Sequence, residues 1–309
     1  MILRISLALA LMFLGWCYWT YPKVGQLTYT LAAEAESSIY GLDEHNIQIE
    51  EFNYSYYDSA PSSRKETIVM LHGYTADKVV WLRFAKYFTD NYRVIIPDLA
   101  GHGKSNYIES ENYSIPSQTA RLSEFMKELG IEQAHIIGNS MGGFITADFA
   151  LTHPNMTLSA GLVDPAGVSS PSPSDMDKMV SMGQNPFFIS NQKDFEIFYP
   201  MTMAEPPWLP GFVLDAIADN YQQRRSDYEK IHHDFAQKNL LEEHLSELSV
   251  PTLLIFGAKD QLIHVSSAKV WQAKIPHLKT KIWEDLGHMP MLEAPTRSAE
   301  LYLSFLNNL

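Results

Sequence analysis

The chain holds a single cysteine, Cys17, so no intrachain disulfide can form and no thiol is available as a nucleophile outside the N-terminal segment. Basic residues are also scarce. The 23 Lys and Arg stand against 36 Asp and Glu, a formal net charge of −13, and the clustered cations that neutralise phosphate in a nucleic-acid-binding protein do not occur. There is no internal repeat. Apolar residues are plentiful: 46% of 309 residues are hydrophobic, enough to fill a sizeable core in a chain long enough for one catalytic unit with an insertion.

The first informative segment is Ile5 to Tyr21, which carries no charge and is bounded by Arg4 and by Pro22 and Lys23. A transmembrane helix needs about 20 apolar residues, with about 17 as the lower limit, so the run just suffices. Trp16, Tyr18, Trp19 and Tyr21 crowd one end, as an interfacial aromatic belt does. Residues 1–25 are therefore expected to be an uncleaved single-pass anchor. A cleaved signal peptide, leaving a secreted or periplasmic protein, is the alternative. It fits less well, because signal peptides have apolar regions of about 7–15 residues closely followed by a small-x-small site. Ala33-Glu34-Ala35 lies well past the run, and Leu14-Gly15-Trp16-Cys17 has a bulky Trp16. Arg4 and the terminal amine slightly outweigh Lys23, which favours a cytoplasmic N-terminus and a catalytic domain outside the cytoplasm.

Beyond residue 60, short β-branched apolar runs alternate with helix-like stretches, the pattern of a parallel sheet covered by helices. Thr67–Leu71, Tyr92–Ile96, Ala134–Ile137, Ala160–Val163 and Pro251–Phe256 read as buried strands, and Lys279–Trp283 as another. Ile47–Tyr57 alternates as an antiparallel edge pair would. From about Pro165 to Asn239 the rhythm breaks into a Pro- and Ser-rich stretch, then Met-, Phe- and Trp-rich helical pieces. Residues 166–239 are expected to form a cap over a core made of 40–165 and 240–309. Met179, Met182, Phe187, Phe188, Phe195, Met201, Met203, Trp208, Leu209 and Phe212 supply either the cap's own core or an apolar acyl pocket or membrane-docking face.

Gly138-Asn139-Ser140-Met141-Gly142 is a G-x-S-x-G between an apolar strand and the helix-like Phe144–Leu151. In that setting the motif is the nucleophile elbow of the α/β-hydrolase fold. The strained turn exposes the Ser140 hydroxyl, and the helix beneath it offers free N–H groups to developing negative charge. A second oxyanion donor must converge with the N–H of Met141. Leu71-His72-Gly73-Tyr74, after the first strong parallel strand, supplies the N–H of Tyr74; the plainer reading makes this an ordinary strand-end turn with His72 bonding backbone.

A serine hydroxyl needs a base. Chain order in this fold is Ser, acid, His, which selects His288 from the 11 histidines. His264 and His277 lie beside helix-like segments, and His102 and Asp98 read better as structural. The acid is Asp260 or Asp164, both following strands at the active edge. Asp260 is preferred because it follows the strand expected to carry the acid, whereas Asp285 lies only three residues before His288.

His72 through Lys78, Pro97 through Ser105, Gly138 through Gly143, Gly257 through Asp260 and Gly287-His288 together resemble the membrane-anchored monoacylglycerol lipases of the α/β-hydrolase family and related bacterial lipases. The resemblance spans most of the chain, the N-terminal anchor included. It implies an α/β-hydrolase fold with a mostly parallel sheet, an inserted helical cap and an N-terminal hydrophobic helix. It also implies a serine hydrolase cleaving a monoacylglycerol or another short lipid ester at a membrane. The implied roles fall on Ser140, Asp260 and His288 as triad and on Tyr74 and Met141 as oxyanion hole, with no metal or organic cofactor. The expected partners are a lipid ester and the membrane, reached through the N-terminal helix and the cap. The same Gly-Asn-Ser-Met-Gly-Gly string also occurs in hydrolases that cleave carbon–carbon bonds of ring-fission products, and a non-catalytic binding module of this fold is a third reading.

Overall fold

The computed structural model describes residues 21, 23–59, 66–236 and 240–309. The uncharged run from Ile5 thus lies outside the described residues, save Tyr21. Among the described residues no helix is long and apolar enough to cross a membrane.

Among the described residues eight strands form one sheet in the order β1-β2-β4-β3-β5-β6-β7-β8. The strands are β1 (Asp43–Ile49), β2 (Phe52–Asp58), β3 (Thr67–Leu71), β4 (Arg93–Pro97), β5 (Ala134–Asn139), β6 (Thr157–Val163), β7 (Thr252–Gly257) and β8 (Lys279–Trp283). β1 and β2 pair antiparallel, and β2 joins β4 antiparallel. Every other pairing is parallel. Thr67–Leu71 and Lys279–Trp283 are β3 and β8 as read, the other parallel runs differ from their strands by at most three residues at an end, and Ile47–Tyr57 overlaps the antiparallel pair β1 and β2, which begins four residues earlier at Asp43.

Continuous apolar runs are what a sheet covered on both faces requires. Along β3, Val69 and Leu71 belong to one buried cluster, with α3 (Ile115–Glu128), α4 (Met141–Thr152) and α9 (Ser267–Lys274). Ile68 and Met70 point the other way, into a second cluster with α2 (Leu82–Ala85), α10 (Pro290–Glu293) and α11 (Pro295–Leu306). Each fully buried side chain of this kind contributes about 1.5–3 kcal/mol.

Residues 23–39 form a helix, α1, which joins the end of the expected anchor, 23–25, to a stretch, 26–39, that the sequence assigns to neither anchor nor core. Gly25, Ala33 and Ser37 are buried at spacings of eight and four residues, along one side of the helix, while Val24, Leu27 and Leu31 are exposed on another side. Gly25 is pressed so closely against α7 (Gly211–Gln223) that an added Cβ would stand 2.0 Å from the Phe212 carbonyl oxygen. α1 is therefore strapped to the helical stretch between β6 and β7.

That stretch comprises α5 (Asp175–Ser181), α6 (Gln192–Phe198), α7 and α8 (Arg225–Phe235). Its apolar residues divide. Phe195, Phe198 and Met201 join Ile189, Ala218 and Leu262 in a small core of their own. Met182 and Trp208 are instead 70% and 84% exposed.

Candidate active site

β5 delivers its chain directly into the turn at Ser140, whose φ of 57° and ψ of −118° lie in a region that non-glycine residues seldom occupy. Close packing holds the turn. A Cβ on Gly138 would be 2.1 Å from the Gly142 carbonyl oxygen, and one on Gly142 would be 2.4 Å from the Leu71 oxygen. Only glycine at both positions lets the strand, the helix start and the β3 loop meet. The Ser140 N–H donates to Val163 O at 3.0 Å, and its carbonyl accepts from the N–H groups of Phe144 and Ala166. Met141 opens the 12-residue α4, so its N–H sits at the positive end of the helix dipole.

The β3 loop lies beside this turn, since a Cβ on Gly73 would be 3.0 Å from Ser140 Cβ. Thr75, with φ of 62°, completes the bend. Among the described residues, neither the Tyr74 nor the Met141 N–H has an acceptor. The Tyr74 side chain ties the loop to α8, its hydroxyl donating to Tyr228 O at 2.6 Å and its ring packing on Phe187 and Phe235. His72 has the plainer role that the sequence left open. Its Nδ1 lies 2.7 Å from Gly73 O and its Nε2 accepts from the Leu99 N–H at 3.0 Å. That pattern belongs to the neutral ring, and burial holds its pKa below the usual value. His102 is likewise buried and held well below the usual value, first by burial and then by His72.

His288 and Asp260 meet across the sheet edge, Nδ1 to Oδ2, at 2.6 Å, with both side chains buried. The other Asp260 oxygen, Oδ1, accepts from the N–H groups of Leu262 and Ile263 at 2.8 and 3.0 Å. With Nδ1 committed to Asp260, Nε2 is the nitrogen left for the serine turn. Asn139 closes the gap between the two loops: its side-chain amide donates to Val163 O at 3.1 Å and to His288 O at 2.9 Å. Glu293 braces the same loop, accepting from Gly287 N–H at 3.0 Å and Met289 N–H at 3.3 Å.

Sequence reasoning singled out neither Asn139 nor Glu293. Asn139 stood inside the G-x-S-x-G, where an amide before the serine was a signal that could have been used. Glu293 follows His288 by five residues on α10, and no spacing rule marks it.

Of the remaining candidates, all but Asp164 have other partners. Asp285 pairs with Arg297 at the surface. His264 bonds Ser266, and His277 contacts Val250 O. Asp98 is buried and accepts from Lys78 Nζ at 2.6 Å and from the Lys78 and Lys104 N–H groups. Asp164 lies beside Asp260, and the two with His288 have donor atoms within 4.8 Å of one another. A tetrahedral metal would hold its ligands about 3.3 Å apart, so the 2.6 Å contact of His288 with Asp260 is a hydrogen bond and not a coordination edge. A pocket of about 430 Å³ lined by Glu205, Lys259, Asp285 and Arg297 includes none of these three residues. Its mixed charge suits no apolar ligand.

The profile of the alpha/beta hydrolase family matches residues 68–301. Lipase 1 of Psychrobacter immobilis is 32% identical over 243 residues, 78% of this chain and 76% of that protein. Monoacylglycerol lipase abhd6-B of Xenopus laevis is 28% identical over 270 residues, 84% and 80% of the respective chains. Among solved structures, that of a membrane phospholipase A, described as a novel bacterial virulence factor, superposes with a TM-score of 0.88. It is 30% identical, and the match covers 99% of this chain and 98% of that one.

Proposed function

This chain belongs to the alpha/beta hydrolase family, and from that premise we propose that it hydrolyses the carboxylic ester of a lipid, with Ser140, His288 and Asp260 as its triad. The observation that carries the assignment is the 2.6 Å contact of His288 with Asp260, held to the serine turn by Asn139 at 2.9 Å from His288 O. Ser140 Oγ attacks the ester carbonyl while His288 Nε2 takes its proton. The oxyanion is held by the N–H groups of Tyr74 and Met141, each such donor being worth about 2.7–4 kcal/mol in the transition state. His288 returns the proton to the leaving alcohol, and water repeats the sequence on the acyl-enzyme. Asp260 stabilises the imidazolium formed in each half.

Lipid esters as substrates are supported by the relatives, which are named lipases and monoacylglycerol lipases. In this reading residues 1–25 anchor the chain, 40–165 and 240–309 form the hydrolase core, and 166–239 cap it. The catalytic domain faces out of the cytoplasm. Exposed Val24, Leu27 and Leu31 on α1 continue the apolar character of the N-terminal run, and Trp208 adds a contact from the cap. At a net charge of −13, membrane contact rests on apolar surface and not on attraction to anionic lipid.

A fluorophosphonate probe and an acyl-chain series test the assignment together. Ser140→Ala should abolish labelling with the fold intact, and wild type should prefer medium-chain over acetyl esters. Unchanged labelling of the variant would remove Ser140 from the mechanism. Activity confined to acetyl esters, or turnover of a vinylogous diketone exceeding that of any ester, would remove the lipid substrate.

A further inference from the structure

Beside the proposed triad lies a second carboxyl that the reaction as written does not use. Asp164 follows β6 with no exposure to solvent and a φ of 42°, a left-handed conformation for a residue with a side chain. Its N–H donates to Ile255 O at 2.8 Å, and its Oδ1 accepts from Gly257 N–H at 2.8 Å, which pins the carboxyl to the end of β7. Oδ2 is buried, and among the described residues no N–H or hydroxyl group serves it. One atom each of Asp164, Asp260 and His288 lie within 4.8 Å of one another, and the negative charge of Glu293 acts from farther off. A buried oxygen without a partner is costly. Two ionised carboxylates at this separation would repel with little water to screen them. Both difficulties vanish if Oδ2 carries a proton and gives it in a hydrogen bond to Asp260.

We infer that Asp164 is a positioning residue: as a neutral carboxylic acid it donates from Oδ2 to the Asp260 carboxylate and holds that group in line with His288 Nδ1. The inference rests on the assignment of Ser140, His288 and Asp260 as the triad. Burial, and next the charge of Asp260, raise the Asp164 pKa well above the usual carboxylate range, in agreement with the geometry. Asp260 then accepts from four donors, the N–H groups of Leu262 and Ile263, His288 Nδ1–H and Asp164 O–H. Its orientation is over-determined, and its negative charge is partly neutralised.

The test uses the full-length enzyme and p-nitrophenyl butyrate, with kcat, KM and the acidic limb of the kcat/KM profile measured for Asp164→Asn and Asp164→Ala. An asparagine can accept from Gly257 N–H with its carbonyl and donate to Asp260 with its amide. It should stay within about threefold of wild type in kcat, with the acidic limb unmoved. Alanine supplies neither bond. It should lose about 10- to 100-fold in kcat at unchanged KM. Its acidic limb should move to higher pH, because Asp260, freed of one donor, stabilises the imidazolium more strongly.

Three outcomes overturn the inference. An acidic limb moved to lower pH in Asp164→Asn would mean that a negative charge had been removed, so that Asp164 is ionised. An asparagine variant as inactive as Asp260→Asn would make Asp164 the chemical partner of His288. An alanine variant indistinguishable from wild type would leave Asp164 without influence. Fluorophosphonate labelling of each variant keeps the underlying assignment separate, since failure of that assignment appears as labelling that survives Ser140→Ala.

Discussion

Replacing Asp260 by asparagine changes one atom, and its surroundings fix the consequence. Oδ1 accepts two backbone N–H groups, those of Leu262 and Ile263 at 2.8 and 3.0 Å. An asparagine must keep its carbonyl oxygen there, because turning its NH₂ toward them would set donor against donor and leave buried groups unpaired, at about 1–3 kcal/mol each. The NH₂ is therefore forced toward His288, into the place of the oxygen now 2.6 Å from Nδ1. A donor at that place turns Nδ1 into an acceptor and moves the ring proton to Nε2. An imidazole protonated at Nε2 cannot take the proton of Ser140. Turnover should fall on the order of 10⁴-fold, about 5.4 kcal/mol of barrier at about 1.36 kcal/mol per decade. The packing is unchanged, so the melting temperature should move little. Steady-state hydrolysis of a p-nitrophenyl ester, beside a thermal melt, measures both. A variant within tenfold of wild type and equally stable would refute the reasoning, because the tautomer would then not matter.

Other consequences concern stability and location. Lys78→Met should cost about 3–5 kcal/mol in denaturant unfolding, since it strips the buried Asp98 carboxylate of the ammonium 2.6 Å away and frees Glu44 and Ser55; a loss below 1 kcal/mol would count against a structural role for the pair. His72 and His102 have pKa values depressed by burial. Their contribution to stability is therefore complete above the unfolded histidine value of about 6.5 and is lost as pH falls toward the folded values. Melting temperature should decline from pH 7 to pH 5, less steeply in His102→Gln, and identical slopes would exclude His102 as a cause. The full chain should resist alkaline carbonate extraction from membranes, while a chain beginning at Tyr21, which keeps Gly25 against α7, should become extractable and retain turnover of a soluble ester. Intact-mass analysis showing a mature start beyond Tyr21 would replace the anchor with a cleaved signal.

Local pattern made much of this protein legible in advance. Strands covered on both faces must be apolar throughout, so β3 to β7 stood out as continuous runs. β8 is the exception, with Lys279 and Lys281 exposed and only its end buried, and it was found by its place in the alternation. G-x-S-x-G could be read because its glycines answer a local demand, the close meeting of Gly138 with Gly142. Glu293 could not be read in that way. It acts on the N–H groups of Gly287 and Met289, and a carboxylate on a short helix has no periodicity that distinguishes it from a solvated one. Helix α1 escaped for a similar reason. Its buried positions are glycine, alanine and serine, small residues chosen for close approach, and these leave no apolar stripe.

The sequence by itself determined the alternation of strands and helices from β3 to β8, the serine turn, and the candidates His288, Asp260 and Asp164. These depend on backbone conformation and on which side chains avoid water, both written in short stretches of chain. Only the tertiary structure decided between the two aspartates as neighbours of His288. Asp164 and Asp260 are 96 positions apart, and each follows a strand of the same edge. Adjacent parallel pairing of β6 and β7 brings both carboxyls to His288, and their different hydrogen bonds then separate them. Asp260 is turned to the imidazole by the Leu262 and Ile263 N–H groups, while Asp164 is held back by the N–H of Gly257. Hydrogen bonds act over about 3 Å, and which groups come that close is set by the packing of segments far apart in the chain.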